Sequence, residues 1–189
     1  MNTPNKLTIL RMLLIPFFVV FLTLTQIPLS YLWALLVFVI ASITDALDGN
    51  IARKHNLVTD FGKFLDPIAD KLLVVSALLC FVKLNLISAV VVIVIVAREF
   101  LVSSLRLVAV GGGKVIAASI WGKMKTVTQM VAIITVMFLQ FLIQINVIPQ
   151  NAAWVYPVNE ILMWISALFT VVSGMQYLIA NKEYINPNK

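Results

Sequence analysis

Four aspartates stand in otherwise apolar sequence: Asp45 and Asp48, three residues apart, then Asp66 and Asp70, four apart. Either spacing brings its pair onto one face of a helix. An isolated carboxylate in hydrocarbon is costly, and ionisable groups placed there face a cavity, an ion or a substrate. Four such side chains at helical spacing on two neighbouring helices make a cage for hard divalent cations. The chain has no His or Cys cluster, so two Mg²⁺ ions are the expected occupants, with Mn²⁺ as the alternative. Two ions bridged by carboxylates suit phosphoryl-type transfer, because they bind phosphate oxygens and align an in-line displacement. Gly49, Ala52, Arg53 and Gly62 lie among the aspartates. The small residues leave room for a large group against the backbone, and Arg53 is placed to meet a phosphate. Close helix packing is the plainer reading of each small residue taken alone. Asp60 reads as a loop residue or a helix N-cap.

Those residues need helices to position them, and composition says where the helices sit. Of 189 residues, 61% are hydrophobic and 12% charged. That is about half the charged fraction of a soluble domain. The expectation is an all-α polytopic membrane protein, residues 1–189 forming a single domain because no polar linker divides it. Apolar runs predict six transmembrane helices: 7–26, 31–43 with its helix continuing through 53, 63–83, 86–110, 124–145 and 155–179. The single cysteine, Cys80, excludes an intrachain disulfide and reads as a buried thiol. The first run lacks a small-residue cleavage site and further spans follow it, so no cleaved signal peptide is expected. The net charge of +6 is accounted for by basic loops and anionic ligands, without nucleic acid.

Orientation follows from the basic residues. Lys6 and Arg11 open the first span; Arg53, Lys54 and Lys63 lie between the second and third. Arg106, Lys114, Lys123 and Lys125 surround the next even-numbered link, and Lys182 and Lys189 are in the tail. The alternate connections hold only Lys83. Both termini are therefore expected on the cytoplasmic side of a cell membrane. Asp45 and Asp48 then approach the cytoplasmic boundary at the end of the second helix, and Asp66 and Asp70 occupy the first turns of the third. Pro67 is tolerated so near a helix start. A divalent-cation transporter, the rival reading, would spread its acids through the membrane depth. Here they cluster at one level beside Gly, Ala and Arg.

The pattern Asp45-x-x-Asp48-Gly49-x-x-Ala52-Arg53, then eight residues to Gly62, three to Asp66 and three to Asp70, resembles the signature of the CDP-alcohol phosphotransferase family. Every signature position is present, and six spans are also that family's architecture. The resemblance implies transfer of a phosphatidyl group from a CDP-activated lipid to an alcohol, with release of CMP. Carried over by position, Asp45, Asp48 and Asp66 bind metal, and Asp70 is general base and a further ligand. Gly49, Ala52, Arg53 and Gly62 would hold the cytidine diphosphate portion. The family also implies a homodimer.

The acceptor must be read from the remaining polar residues. Arg98-Glu99 lies deep in the fourth span, Arg106 about two turns later, then Lys114, and Gly122-Lys123-Met124-Lys125-Thr126 opens the fifth. Asn5, Thr8 and Arg11 open the first span as further candidate substrate contacts. Several extra cations fit an acceptor that is itself anionic. For Lys114, Lys123 and Lys125, snorkelling to the headgroups is an equal alternative. The segments 4–8, 97–99 and 122–126 resemble those of bacterial members of the family that use CDP-diacylglycerol as donor and glycerol 3-phosphate as acceptor. Phosphatidylglycerol, serine and inositol phosphate are the alternative acceptors.

Overall fold

A computed structural model describes residues 3–54, 60–111 and 119–181, with side chains described outside 45–54, 60–64, 66–67, 70 and 110–111 and from residue 5 onward. Six helices account for almost all of it: α1 (Thr3–Thr23), α2 (Ser30–Lys54), α3 (Asp60–Lys83), α4 (Ala89–Gly111), α5 (Ile120–Gln144) and α6 (Val155–Ala180). Among the described residues there is no strand. An apolar chain in lipid must satisfy its backbone internally, and the helix does so within each segment. The expected boundaries differ from these mainly at α1 and α5. α1 starts at Thr3, with Pro4 in its first turn, and ends at Thr23 rather than 26. α5 begins at Ile120, so Lys123, Lys125 and Thr126 are already helical. α3 opens at Asp60, three residues before the expected start, so Asp60 is the first helical residue and neither a loop residue nor an N-cap.

Over Asn5–Thr23, α1 is long and apolar enough to cross a membrane, as are α5 and α6. Large apolar side chains face outward: Leu13 and Phe17 on α1, Ile93 and Leu107 on α4, Val127 on α5, Leu168 and Ile179 on α6. A soluble protein would turn such a surface inward.

The chain forms two compact units. The first comprises residues up to Leu84 with Val136–Ala152; the second comprises Asn85–Thr135 with the chain from Ala153. In the first, α1 packs on both α2 and α3. The buried face of α1 runs Asn5, Thr8, Arg11, Ile15, Phe18, Leu22, a helical repeat whose first three members are polar. Phe18 meets Phe38 of α2 with ring centroids 5.6 Å apart. Ala69, Leu73, Ala77 and Phe81 are buried on α3, and Cys80 is buried as expected. In the second unit α4 packs on α6.

Helix ends are closed by two devices. The three connections after α1, α3 and α5 each hold a left-handed residue: Leu29 (φ 56°), Asn85 (φ 56°) and Asn146 (φ 57°). After α5 the Val147 N–H donates to the Leu142 carbonyl at 3.0 Å and the Asn146 N–H to the Ile143 carbonyl at 3.0 Å. This is a Schellman closure, with Asn146 taking the place usually held by glycine. The N-termini of α2 and α4 are instead satisfied from a distance. The Gln144 side-chain oxygen accepts from the Tyr31 N–H at 3.3 Å, while its amide donates to Ser30 Oγ at 3.1 Å. In the second unit the Glu160 carboxylate accepts from the Ser88 N–H, from Ser88 Oγ at 3.3 Å and from Trp164 Nε1 at 3.0 Å. A negative charge there complements the exposed N–H groups at the start of α4.

Candidate active site

The aspartates belong to the first unit. Asp45 and Asp48 lie in the uninterrupted helix α2, and Asp66 and Asp70 in α3, so each pair sits on one helical face as expected. Asp48 precedes the end of α2 at Lys54 by as many residues as Asp66 follows the start of α3 at Asp60, about 9 Å along either axis. The side chains of Asp45, Asp48, Gly49, Ala52, Arg53, Gly62, Asp66 and Asp70 lie outside the described residues. Carboxylate oxygens are hard donors, and regular helix spaces each pair by about one turn. Four such donors, if brought together, would suit Mg²⁺ or Mn²⁺ and not a soft metal.

α1 completes this unit. Asn5, Thr8 and Arg11 are buried, Thr8 and Arg11 each at 1% exposure, although they lie in the first turns of a helix with an apolar outer face. A guanidinium withdrawn so fully from solvent has to be held by polar groups around it. The three residues form one stripe of the helix that packs on α2 and α3.

The basic candidates belong mostly to the second unit. Arg98 and Glu99 stand near the middle of α4, and their ion pair is direct, Nη1 to Oε1 at 3.2 Å. Lys125 of α5 is buried and pairs with the same Glu99 oxygen, so it does not snorkel outward. Two cations thus share one carboxylate oxygen. Arg98 also donates from Nη2 to Ser173 Oγ of α6 at 2.7 Å. Gly174 lies against the stem of the same arginine: a Cβ there would sit 2.9 Å from Arg98 Cγ. Further along α4, Arg106 is exposed and donates from Nε to the Tyr177 hydroxyl at 3.1 Å, with its guanidinium carbon 5.4 Å from the ring centroid. Between the two arginines Val102 and Leu105 pack on Tyr177 and Leu178.

The α5 end of this unit is capped by Ser119, whose Oγ accepts from the Gly122 N–H at 3.2 Å. Lys123 is exposed. Thr126 is exposed and donates to the Gly122 carbonyl at 3.1 Å. Lys114 lies outside the described residues. The structure therefore joins Arg98, Glu99 and Lys125 in one network and puts Arg106 on the same two-helix pairing. Sequence reasoning missed the contribution of α6: Ser173, Gly174 and Tyr177. Their signal was present as buried polar and small residues recurring along an apolar helix: Asn159, Ser166, Thr170, Ser173, Gly174 and Tyr177.

An acidic motif on two helices, in a chain of long apolar helices, is the arrangement the family resemblance leads one to expect. The family model described as CDP-alcohol phosphatidyltransferase matches residues 1–172, and the chain belongs to that family. Among its relatives is the CDP-diacylglycerol–glycerol-3-phosphate 3-phosphatidyltransferase of Bacillus subtilis, 42% identical over 193 residues and 96% of both chains. The proteins of the same name from Rickettsia bellii (41% identical, 97% of both chains) and Haemophilus influenzae (40%, covering 94% of this chain and 91% of the relative) are similar over comparable lengths.

Proposed function

We propose that this protein transfers the phosphatidyl group of CDP-diacylglycerol to a hydroxyl of glycerol 3-phosphate, forming phosphatidylglycerophosphate and CMP. The observation that carries the proposal is full-length similarity, at about 40% identity, to several transferases of that name, joined to an intact acidic signature. The cations Arg98, Arg106 and Lys125 in one unit support an anionic acceptor.

In this reading Asp45, Asp48, Asp66 and Asp70 hold two divalent cations, which when bound neutralise the donor diphosphate and the charge that develops on the leaving CMP. Gly49, Ala52, Arg53 and Gly62 seat the cytidine diphosphate portion. The acceptor phosphate is held by Arg98, Arg106 and Lys125, with Lys114, Lys123 and Thr126 at its edge. Asp70 takes the proton from the acceptor's primary hydroxyl. That oxygen bonds to the β-phosphorus, the bond from phosphorus to the CMP oxygen breaks, and CMP leaves with the electron pair. An ionised aspartate suits a base rather than an acid. Asn5, Thr8 and Arg11, buried on the helix that packs against α2 and α3, are further substrate contacts in this reading.

All six helices are taken to span a bacterial cell membrane as one domain, with both termini and the site on the cytoplasmic side. The donor then enters sideways from the inner leaflet and the acceptor arrives from the cytosol. A homodimer is the assembly the family resemblance favours.

The test is CMP release by detergent-purified protein given CDP-diacylglycerol and Mg²⁺ with glycerol 3-phosphate, glycerol, serine, inositol phosphate or phosphatidylglycerol. Release with glycerol 3-phosphate alone is expected. Release with a different alcohol would overturn the acceptor pocket and leave the acidic site standing.

A further inference from the structure

We infer that α6 is a positioning element for the acceptor: Ser173 and Gly174 set the course of the Arg98 side chain, and Tyr177 sets that of Arg106. The inference rests on the proposal that these arginines bind the acceptor phosphate, and it adds three residues to which no role has been assigned.

An arginine stem has several rotatable bonds, and a phosphate site needs its guanidinium held in one direction. On Arg98 that constraint is supplied from both ends. The stem lies against the bare backbone of Gly174, where even a methyl group would approach Cγ to 2.9 Å and Nε to 3.3 Å. Contacts under 3.0 Å are not tolerated, and Cγ is too near the backbone to swing aside without turning the whole side chain. At the tip, Nη2 is fixed by Ser173 Oγ at 2.7 Å and Nη1 by Glu99 at 3.2 Å. Ser173 is 1% exposed, so its hydroxyl has no solvent to compete with the arginine.

Arg106 is anchored by the next turn of the same helix. Tyr177 follows Ser173 by four residues, hence on the same face, and is itself buried against Val102 and Leu105. Its hydroxyl takes the Nε hydrogen of Arg106, which leaves the two terminal nitrogens for a ligand. The arginines stand eight residues apart on α4 and their supports three to four apart on α6, in the same chain order. A glycine needed only for close helix packing would face a neighbouring backbone; here the closest atoms are those of Arg98.

The experiment is steady-state kinetics of the full chain in detergent, with glycerol 3-phosphate and CDP-diacylglycerol varied separately, for Gly174→Ala, Ser173→Ala and Tyr177→Phe. Each should raise KM for glycerol 3-phosphate about tenfold through loss of an oriented charged hydrogen bond, with kcat and the donor KM changed less than about threefold. Arg98→Ala serves as the reference. In that background Gly174→Ala should add less than about twofold, because residues that act through one group are not additive. A full additional loss there, or equal changes in kcat and both KM values, would overturn the positioning role. If Gly174→Ala fails to yield monodisperse protein, Ser173→Ala and Tyr177→Phe decide the matter by the same split. An unchanged acceptor KM in Arg98→Ala would overturn the acceptor-phosphate reading itself. A raised KM there with normal values in all three α6 variants would overturn only the inference.

Discussion

Charge enters the apolar helices in two regions, and the two are assembled in opposite ways. In the first unit the carboxylates of α2 and α3 are spaced by helix geometry alone, three and four residues apart on regular helix. In the second unit Arg98, Glu99, Lys125, Ser173 and Tyr177 come from three helices and meet only through packing. On the proposed function the acidic region gathers like charges that call for cations. The basic region carries its own counter-ion in Glu99 and is closed by hydrogen bonds. One region is built to wait for ligands, the other to hold a direction. On the proposed function, charge serves binding in the first region and orientation in the second.

This contrast can be broken most decisively at Asp70. Asp70→Asn should lower kcat by about 10²–10⁴-fold, the range for losing a general base, while equilibrium binding of the donor persists. Full turnover in that variant would remove the acidic region from the chemistry. Glu99→Gln should act on stability instead. With Arg98, Glu99 and Lys125 at 14%, 15% and 9% side-chain exposure, loss of the shared carboxylate takes an ionic partner from both cations. A cost of about 2 kcal/mol is expected, below the figure for fully buried pairs, and is read as a lower midpoint of thermal unfolding in detergent.

The acidic region should respond in the other direction. With EDTA present, Asp66→Asn should leave the unfolding midpoint unchanged or raise it by a few degrees, because it relieves repulsion where binding, not folding, set the residue type. A midpoint lowered as far as in Glu99→Gln would erase the distinction between the regions. Glu160→Ala tests a charge outside both. Removing the cap of α4 should cost about 1 kcal/mol of stability and leave the acceptor KM within about twofold. The smallest effect is expected from Lys123→Ala: Lys123 is exposed, and the acceptor KM should rise no more than about threefold, well below the change for Lys125→Ala.

Much of this was legible in the residues. Six transmembrane helices were expected; the described residues form six helices, three of them long and apolar enough to cross a membrane, with α2 running on past its apolar stretch to Lys54. Asp45, Asp48, Asp66 and Asp70 declared themselves because their grouping depends on helical spacing, which is local and readable. Arg98 and Glu99 were conspicuous because an apolar segment gives no ordinary reason for either. The fate of Lys125 was not readable, since a lysine near a helix start serves equally as a headgroup contact or a buried ion pair. Its pairing with Glu99 depends on how α5 is rotated against α4, and no spacing within one helix encodes that.

The sequence by itself determined the helices, their apolar outer faces and the acidic motif, because hydrophobicity and period act along a single segment. The tertiary structure decided which residues of α6 serve the arginines of α4, and that Gln144 and Glu160 close helix ends in their own units from far along the chain. Those contacts arise from the register between packed helices. Register is set by the summed fit of many side chains at once, so no short stretch of sequence reports it.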